Sequence, residues 1–278
     1  MQDRLLPDFI IVGTMKSGTS TLSGYIEQHD SVYMPNRELH YFYNVGKGNW
    51  DKKLNWYKSH FKEKRGQLCG EKTPTYSYLK QVPLRIKKTV PDVKLIWIFR
   101  NPVDRAYSNY WHAVCEGAET LSFGEAIRNE EERVKNDIWK GYVRRGIYSR
   151  QVSRYLEHFD KSDMHFCTFE NMVKNTQKVI NKCYEFLDVE TYHSGHIDNS
   201  RKNNPTYLPI SPYIRYQTRR IFGKTSVISK VEKIVNRRMY KGYHNMDKHI
   251  RHKLQKFYKP HNDTLEELTG LNLSQWWF

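Results

Sequence analysis

The stretch FIIVGTMKSGTSTL, residues 9–22, constrains the fold more than any other part of the chain. An apolar run of strand length, Phe9 to Val12, meets Gly13; a short loop then leads into Leu22, Tyr25 and Ile26 at helical spacing. A strand that turns through a glycine loop into a helix leaves the first helical N–H groups unpaired and aims the positive end of the helix dipole at the loop. That is an anion site. Gly13 and Gly18 keep the spacing of the phosphate loop G-x-x-x-x-G-K-[ST], yet Thr19 stands where the lysine belongs and Lys16 lies three places upstream. Ser17, Thr19, Ser20 and Thr21 add hydroxyl donors. In a nucleoside triphosphatase the lysine reaches the terminal phosphates and a Ser/Thr holds magnesium. From mid-loop, Lys16 instead meets the bridging or outer oxygens of its anion. The strand KLIWIF ends in Arg100, a cation where a Walker B aspartate would hold metal, so the pocket is expected to neutralise its ligand with side chains and no metal.

Short apolar segments alternate with helical periodicity along the rest of the chain, which predicts βαβ units and a mainly parallel sheet. Strands are expected at 8–12, 67–70, 94–99 and 164–169. Helices are marked by Val103, Tyr107, Tyr110 and Trp111, by Tyr148, Val152, Tyr155, Leu156 and Phe159, and by Val179, Ile180, Cys183, Phe186 and Leu187. A final helix is expected over 247–268, before the aromatic terminus LSQWWF. The fold class is therefore α/β: a three-layer, P-loop-like arrangement of about five strands flanked by helices. With 278 residues, no Pro/Gly/Ser-rich linker and no repeat, one domain over 1–278 is expected. Cys69, Cys115, Cys167 and Cys183 form no C-x-x-C pair and read as buried reduced thiols.

The net charge of +16 is concentrated in residues 201–260, where 16 Lys/Arg face only Glu232 and Asp247. Within that segment Ile221, Val227, Ile228, Val231, Ile234 and Val235 alternate with Arg219, Arg220, Lys230, Lys233, Arg237 and Arg238, a basic amphipathic pattern for a helical C-terminal region. Such a block suits a polyanion or an anionic membrane surface. No nucleic-acid-binding module accompanies it, so nucleic acid is not an expected partner. No apolar run approaches the roughly 20 residues of a bilayer-spanning helix.

PDFIIVGTMKSGTSTL, RELHYF, GEKTPTY and RNPVDRAYSNYWH, in that order, resemble the sulfotransferases that use 3'-phosphoadenosine 5'-phosphosulfate (PAPS), and among them the heparan sulfate N- and 3-O-sulfotransferase branch with its bacterial relatives. The resemblance implies that Lys16, Ser17, Gly18, Thr19, Ser20 and Thr21 hold the 5'-phosphosulfate, with Lys16 on the oxygen bridging phosphorus and sulfur. Arg100 and Ser108 are implied at the 3'-phosphate, with Asn101 capping the helix that Pro102 begins; Arg105 matches no ligand of the family and is left structural. In RELHYF the family's glutamate base maps onto Glu38, and His40 is the rival, since phenol and steroid sulfotransferases use a histidine. Lys72 of GEKTPTY is implied beside the transferring sulfuryl group. Arg201 and Lys202, in NSRKNNPTY, stand where the family closes its cosubstrate pocket, without the K-G-R spelling of the heparan enzymes.

The implied reaction moves a sulfuryl group to a hydroxyl or amine of a glycan or glycolipid, anionic or membrane-borne, and leaves adenosine 3',5'-bisphosphate. A P-loop kinase is the alternative enzyme, opposed by Thr19; a non-enzymatic binder of polyanions is the other alternative. An N-terminus that enters a strand at once, with no signal-like segment, leads to the expectation of a bacterial cytoplasmic protein, peripheral at the inner membrane face if the basic segment meets lipid.

Overall fold

A computed structural model describes residues 5–46, 48–61, 67–191, 212–222 and 244–277. Five strands form one parallel sheet: β1 (Phe9–Gly13), β2 (Val32–Tyr33), β3 (Leu68–Lys72), β4 (Lys94–Phe99) and β5 (Met164–Thr168), in the order β2-β3-β1-β4-β5. Four of the five were expected from their apolar runs. β2 was not, because two residues carry no periodic signal. Phe9 lies opposite Gly70 on one side and Lys94 on the other, and Leu95 to Phe99 pair with Met164 to Thr168.

The period of two divides each strand between two cores. Ile10, Val12, Leu95, Trp97 and Phe99 face α3 (Val82–Thr89) and α7 (Tyr148–Leu156), joined by Trp276 near the C-terminus. Phe9, Ile11, Ile96, Ile98 and Cys167 face α1 (Thr19–Ile26) and α9 (Thr176–Phe186). A third cluster joins α4 (Pro102–Cys115), α5 (Phe123–Arg128) and α11 (Lys248–Thr269). The remaining described α-helices are α2 (Leu54–Lys58), α6 (Glu130–Asn136), α8 (Phe169–Lys174) and α10 (Pro212–Phe222). Of the basic segment 201–260, α10 and the first part of α11 are thus helical, and most of the rest, with Arg201 and Lys202, lies outside the described residues. Among the described residues no helix is long and apolar enough to cross a membrane. All four cysteines are free; Cys69, Cys167 and Cys183 are buried and Cys115 is half-buried.

The connection after β1 runs toward β2 on one side and that after β4 toward β5 on the other, so the two adjacent strands part company at their carboxyl ends. A crevice opens at such a switch point. The C-terminal tail braces one wall of it. The Trp276 indole N–H donates to Glu170 Oε2 at 3.1 Å, its carbonyl accepts from Asn101 Nδ2 at 3.0 Å, and Glu170 Oε1 accepts the Asn101 N–H at 2.8 Å. Trp276 is 1% exposed, so truncation leaves a cavity and takes the indole donor from Glu170 Oε2. Trp276→Ala is expected to destabilise the fold by about 3–5 kcal/mol in urea unfolding; a cost below about 1 kcal/mol would mean that the tail carries no core load.

Candidate active site

The loop after β1 is tied to β4. Thr14 donates through its N–H and its hydroxyl to the Ile98 carbonyl, at 2.8 and 3.1 Å, and its hydroxyl lies 2.6 Å from that of Ser17. Ser17 is fully buried, so its hydroxyl braces the loop from within. Lys16 turns through the left-handed region at φ 69°, and Gly18 follows at φ 90°. A side chain at Gly18 would place its Cβ 2.6 Å from the Phe169 ring. Gly18 is also the N-cap of α1, and with no side chain it leaves the first turn without a side-chain cap. The backbone N–H groups at that end are what an anion would use.

Arg100, just beyond β4, reaches back across the switch point and donates to the Lys16 carbonyl at 3.4 Å, its guanidinium 5.0 Å from the centre of the Phe169 ring. Asn101 caps α4 as expected, accepting the Val103 N–H at 3.0 Å. Ser108 follows about two turns on, 4% exposed. Arg105, on the same helix, is fully buried and donates to the Asn109 side chain and the Tyr142 carbonyl.

The third side of the crevice comes from residues 38–43 and β3. Lys72 Nζ donates to Ser20 Oγ at 3.0 Å and lies 3.7 Å from Glu38 Oε1, which joins the loop to the carboxylate. The other Glu38 oxygen is 3.5 Å from His40 Nε2. His40 Nδ1 shares a 2.6 Å hydrogen bond with the Tyr43 hydroxyl, and the His40 N–H reaches Thr73 Oγ1 at 3.4 Å. Glu38 is one-third exposed, while His40 and Lys72 are mostly buried beside it. The residues that the sequence nominates from three separate motifs, Lys16 to Thr21, Glu38 with His40, and Lys72, therefore meet at one crevice, and Arg100 joins the loop from the fourth. Arg201 and Lys202 lie outside the described residues.

Three groups near this array were not nominated. Tyr43 orients His40. Glu71, next to Lys72 in β3, is fully buried, accepting from the Tyr57 hydroxyl at 2.6 Å and from Thr73 Oγ1 at 3.5 Å. Arg145 lies against Met15 of the loop. Glu71 was within reach of a sequence reading, since a carboxylate inside an apolar strand needs a reason; nothing local marks Arg145.

A five-stranded parallel sheet flanked by helices, with an uncapped helix start and the cations Lys72 and Arg100 at its switch point, defines the class as an α/β protein with a candidate anion site. The chain belongs to the sulfotransferase domain family, whose model it matches over residues 6–271. It is 26% identical over 269 residues to human heparan sulfate glucosamine 3-O-sulfotransferase 3B1, covering 95% of this chain and 64% of that protein. It is 25% identical over 276 residues to the bifunctional heparan sulfate N-deacetylase/N-sulfotransferase 1 of Caenorhabditis elegans, covering 96% of this chain and 30% of that one. The crystal structure of a sulfotransferase from Alicyclobacillus acidocaldarius superposes with a TM-score of 0.75 at 28% identity, with 98% of each chain covered. The chain thus spans less than two thirds of either heparan sulfate relative.

Burial pushes the Glu71 carboxyl up from its ordinary 4.5 to about 7, against the hydrogen bonds from Tyr57, Tyr76 and Thr73. The folded state therefore holds a proton that the unfolded chain has already released. This contribution is fully present below pH 4.5 and is lost as pH rises through about 7. Glu71 is expected to remove up to about 3 kcal/mol of stability between pH 4.5 and 8. Urea midpoints at both pH values should show Glu71→Gln losing that part of the slope; an unchanged slope would place the titration elsewhere.

Proposed function

We propose that the chain transfers a sulfuryl group from PAPS to a hydroxyl or amine of a carbohydrate acceptor. The observation that carries this reading is the Lys72 ammonium held between Ser20 of the anion loop and Glu38, because it couples an anion site directly to a carboxylate able to take a proton. A donor lying along the loop and an acceptor lying against Glu38 would meet beside Lys72. The heparan sulfate relatives support the glycan class of acceptor.

In this reading the acceptor oxygen or nitrogen attacks sulfur as the bond from sulfur to the bridging oxygen breaks. The electron pair of that bond passes to the leaving phosphate, and Lys16 opposes the charge that develops there. The uncapped turn at Thr19, Ser20 and Thr21 holds the phosphate, and Arg100 and Ser108 hold the 3'-phosphate, a guanidinium and a hydroxyl suited to its oxygens. Glu38 takes the acceptor's proton, oriented by Lys72 and His40. The donor set fits such a ligand: cations and hydroxyls line the loop side, and the one carboxylate in the array, Glu38, stands on the side proposed for the acceptor.

Calorimetric titration with adenosine 3',5'-bisphosphate tests the cosubstrate, and saturable binding is expected; no binding would defeat the proposal. Glu38→Gln should lower kcat by about 10²–10⁴-fold and leave adenosine 3',5'-bisphosphate affinity unchanged. Full turnover in that variant, with loss in His40→Ala, would move the base to His40. Lys16→Ala should lower kcat more than it weakens nucleotide binding, because the bridging oxygen gains most of its charge in the transition state.

A further inference from the structure

The peptide unit between Arg100 and Asn101 lies just beyond β4, which ends at Phe99, yet both of its polar groups are held. The Arg100 carbonyl accepts the Tyr148 hydroxyl at 2.9 Å, and the Asn101 N–H donates to Glu170 Oε1 at 2.8 Å. A single residue stands behind both holds. The Trp276 indole N–H donates to Glu170 Oε2 at 3.1 Å, and its ring centre lies 6.3 Å from that of Tyr148. Its carbonyl accepts Asn101 Nδ2 at 3.0 Å. Trp276 is itself anchored, buried in the cluster that contains Trp97, Phe99 and Tyr148.

What this clamp controls is the direction in which the Arg100 side chain leaves the backbone. The guanidinium is only loosely held by its own contacts, a long hydrogen bond of 3.4 Å to the Lys16 carbonyl and the Phe169 ring 5.0 Å away. A guanidinium forks onto a phosphate through a fixed planar geometry, so a small turn of its backbone costs the second hydrogen bond. Glu170 adds an electrostatic constraint. It follows Phe169, the residue against which Arg100 lies, and a carboxylate with a free oxygen there would compete with a phosphate for the cation. The Asn101 and Trp276 N–H groups engage one Glu170 oxygen each.

We propose that Trp276 is a positioning residue for the cosubstrate: through Glu170 and Tyr148 it fixes the Arg100–Asn101 peptide so that Arg100 meets the 3'-phosphate, and it thereby sets how strongly the crevice prefers a nucleotide phosphorylated at the 3' position. The inference rests on the sulfotransferase reading and deepens it. Trp276 acts through Arg100 and has no part in the proton or sulfuryl transfer. The aromatic segment LSQWWF, which none of the four motifs explains, acquires a role in this way.

The test titrates adenosine 3',5'-bisphosphate and adenosine 5'-phosphate calorimetrically; the second lacks only the phosphate assigned to Arg100. Wild-type protein should bind the bisphosphate at least about tenfold more tightly, the worth of one hydrogen-bonded charge. Trp276→Phe keeps a ring in the core and removes the indole N–H, while Glu170→Gln leaves a side chain that cannot accept from both N–H groups. Each variant should weaken the bisphosphate by about five- to tenfold and adenosine 5'-phosphate by less than about twofold. The double variant should lose no more than the weaker-binding single one, because both substitutions break the same chain of contacts. Should Trp276→Phe not fold, Glu170→Gln, on a half-buried residue outside the core clusters, reads the same ratio. The proposal is overturned if the folded variants keep the wild-type ratio of the two affinities, or if both nucleotides weaken alike, which would make the tail a support of the fold alone. Additive losses in the double variant would overturn the route through Glu170. Wild-type protein that binds both nucleotides equally would take the 3'-phosphate away from Arg100, and the proposal with it. Failure to bind either nucleotide would instead defeat the sulfotransferase reading beneath it.

Discussion

Thr14 donating twice to the Ile98 carbonyl is the contact on which the crevice depends. β1 ends in a loop that would otherwise be free to swing away from the sheet, and this pair of hydrogen bonds pins its first residue to the adjacent strand. With Thr14 held, Ser17 is held through its hydroxyl, the turn passes through Lys16 and Gly18 in the left-handed region, and α1 begins where its open N–H groups face the crevice. Arg100 then reaches the Lys16 carbonyl from the end of the same strand that carries Ile98. One strand thus positions both the loop and the cation opposite it.

The parallel order of the sheet explains why residues so far apart converge. Every strand presents its carboxyl end to the same side, so the residues that follow β1, β3 and β4 share one rim. Glu38 is brought to that rim by residues 38–43, which lie over β3: the Tyr41 N–H donates to the Tyr76 hydroxyl at 2.8 Å, and Tyr41 stacks on Tyr57 with ring centres 4.3 Å apart. The aromatic packing that the sequence spreads over Tyr41, Phe42, Tyr57 and Tyr76 therefore has a mechanical result. It fixes the distance between a carboxylate and a lysine on different elements.

How much of this was legible depended on whether the signal was local. Lys16 stood out because its displacement is visible within nine residues, and Asn101-Pro102 announced a helix start by cap chemistry alone. The pattern around RELHYF favoured Glu38 over His40, and the two side chains are adjacent in space, 3.5 Å apart, so their proximity does not choose between them. α5 and α6 are too short for periodicity, although Ser122 and Glu125 form a capping box that marks the first of them. Ser17 was grouped with Thr19, Ser20 and Thr21 as hydroxyl donors to the anion, whereas its hydroxyl pairs with that of Thr14 inside the loop. Arg145 could not be found at all, because its contact with Met15 spans 130 residues and an arginine in RRG reads as surface.

The charge balance of the interior separates holding the fold together from preparing a site. Glu119 is buried and answered: it accepts from Arg133 and, at 2.7 Å, from the Tyr142 hydroxyl. Those hydrogen bonds outweigh the cost of burial and leave its carboxyl below the ordinary value. Glu130 is buried and answered by two backbone N–H groups. Arg145 is answered by aromatic faces and a sulfur, which attract a cation but cannot accept the hydrogen bonds of its Nε and Nη2 atoms. A structural ion pair would have been completed within the chain, as that of Glu119 is. Arg145 instead lies against Met15, the residue before Lys16 in the anion loop, and the groups that favour its charge, Tyr78, Tyr43 and Asp137, act on it without a hydrogen bond among the described residues.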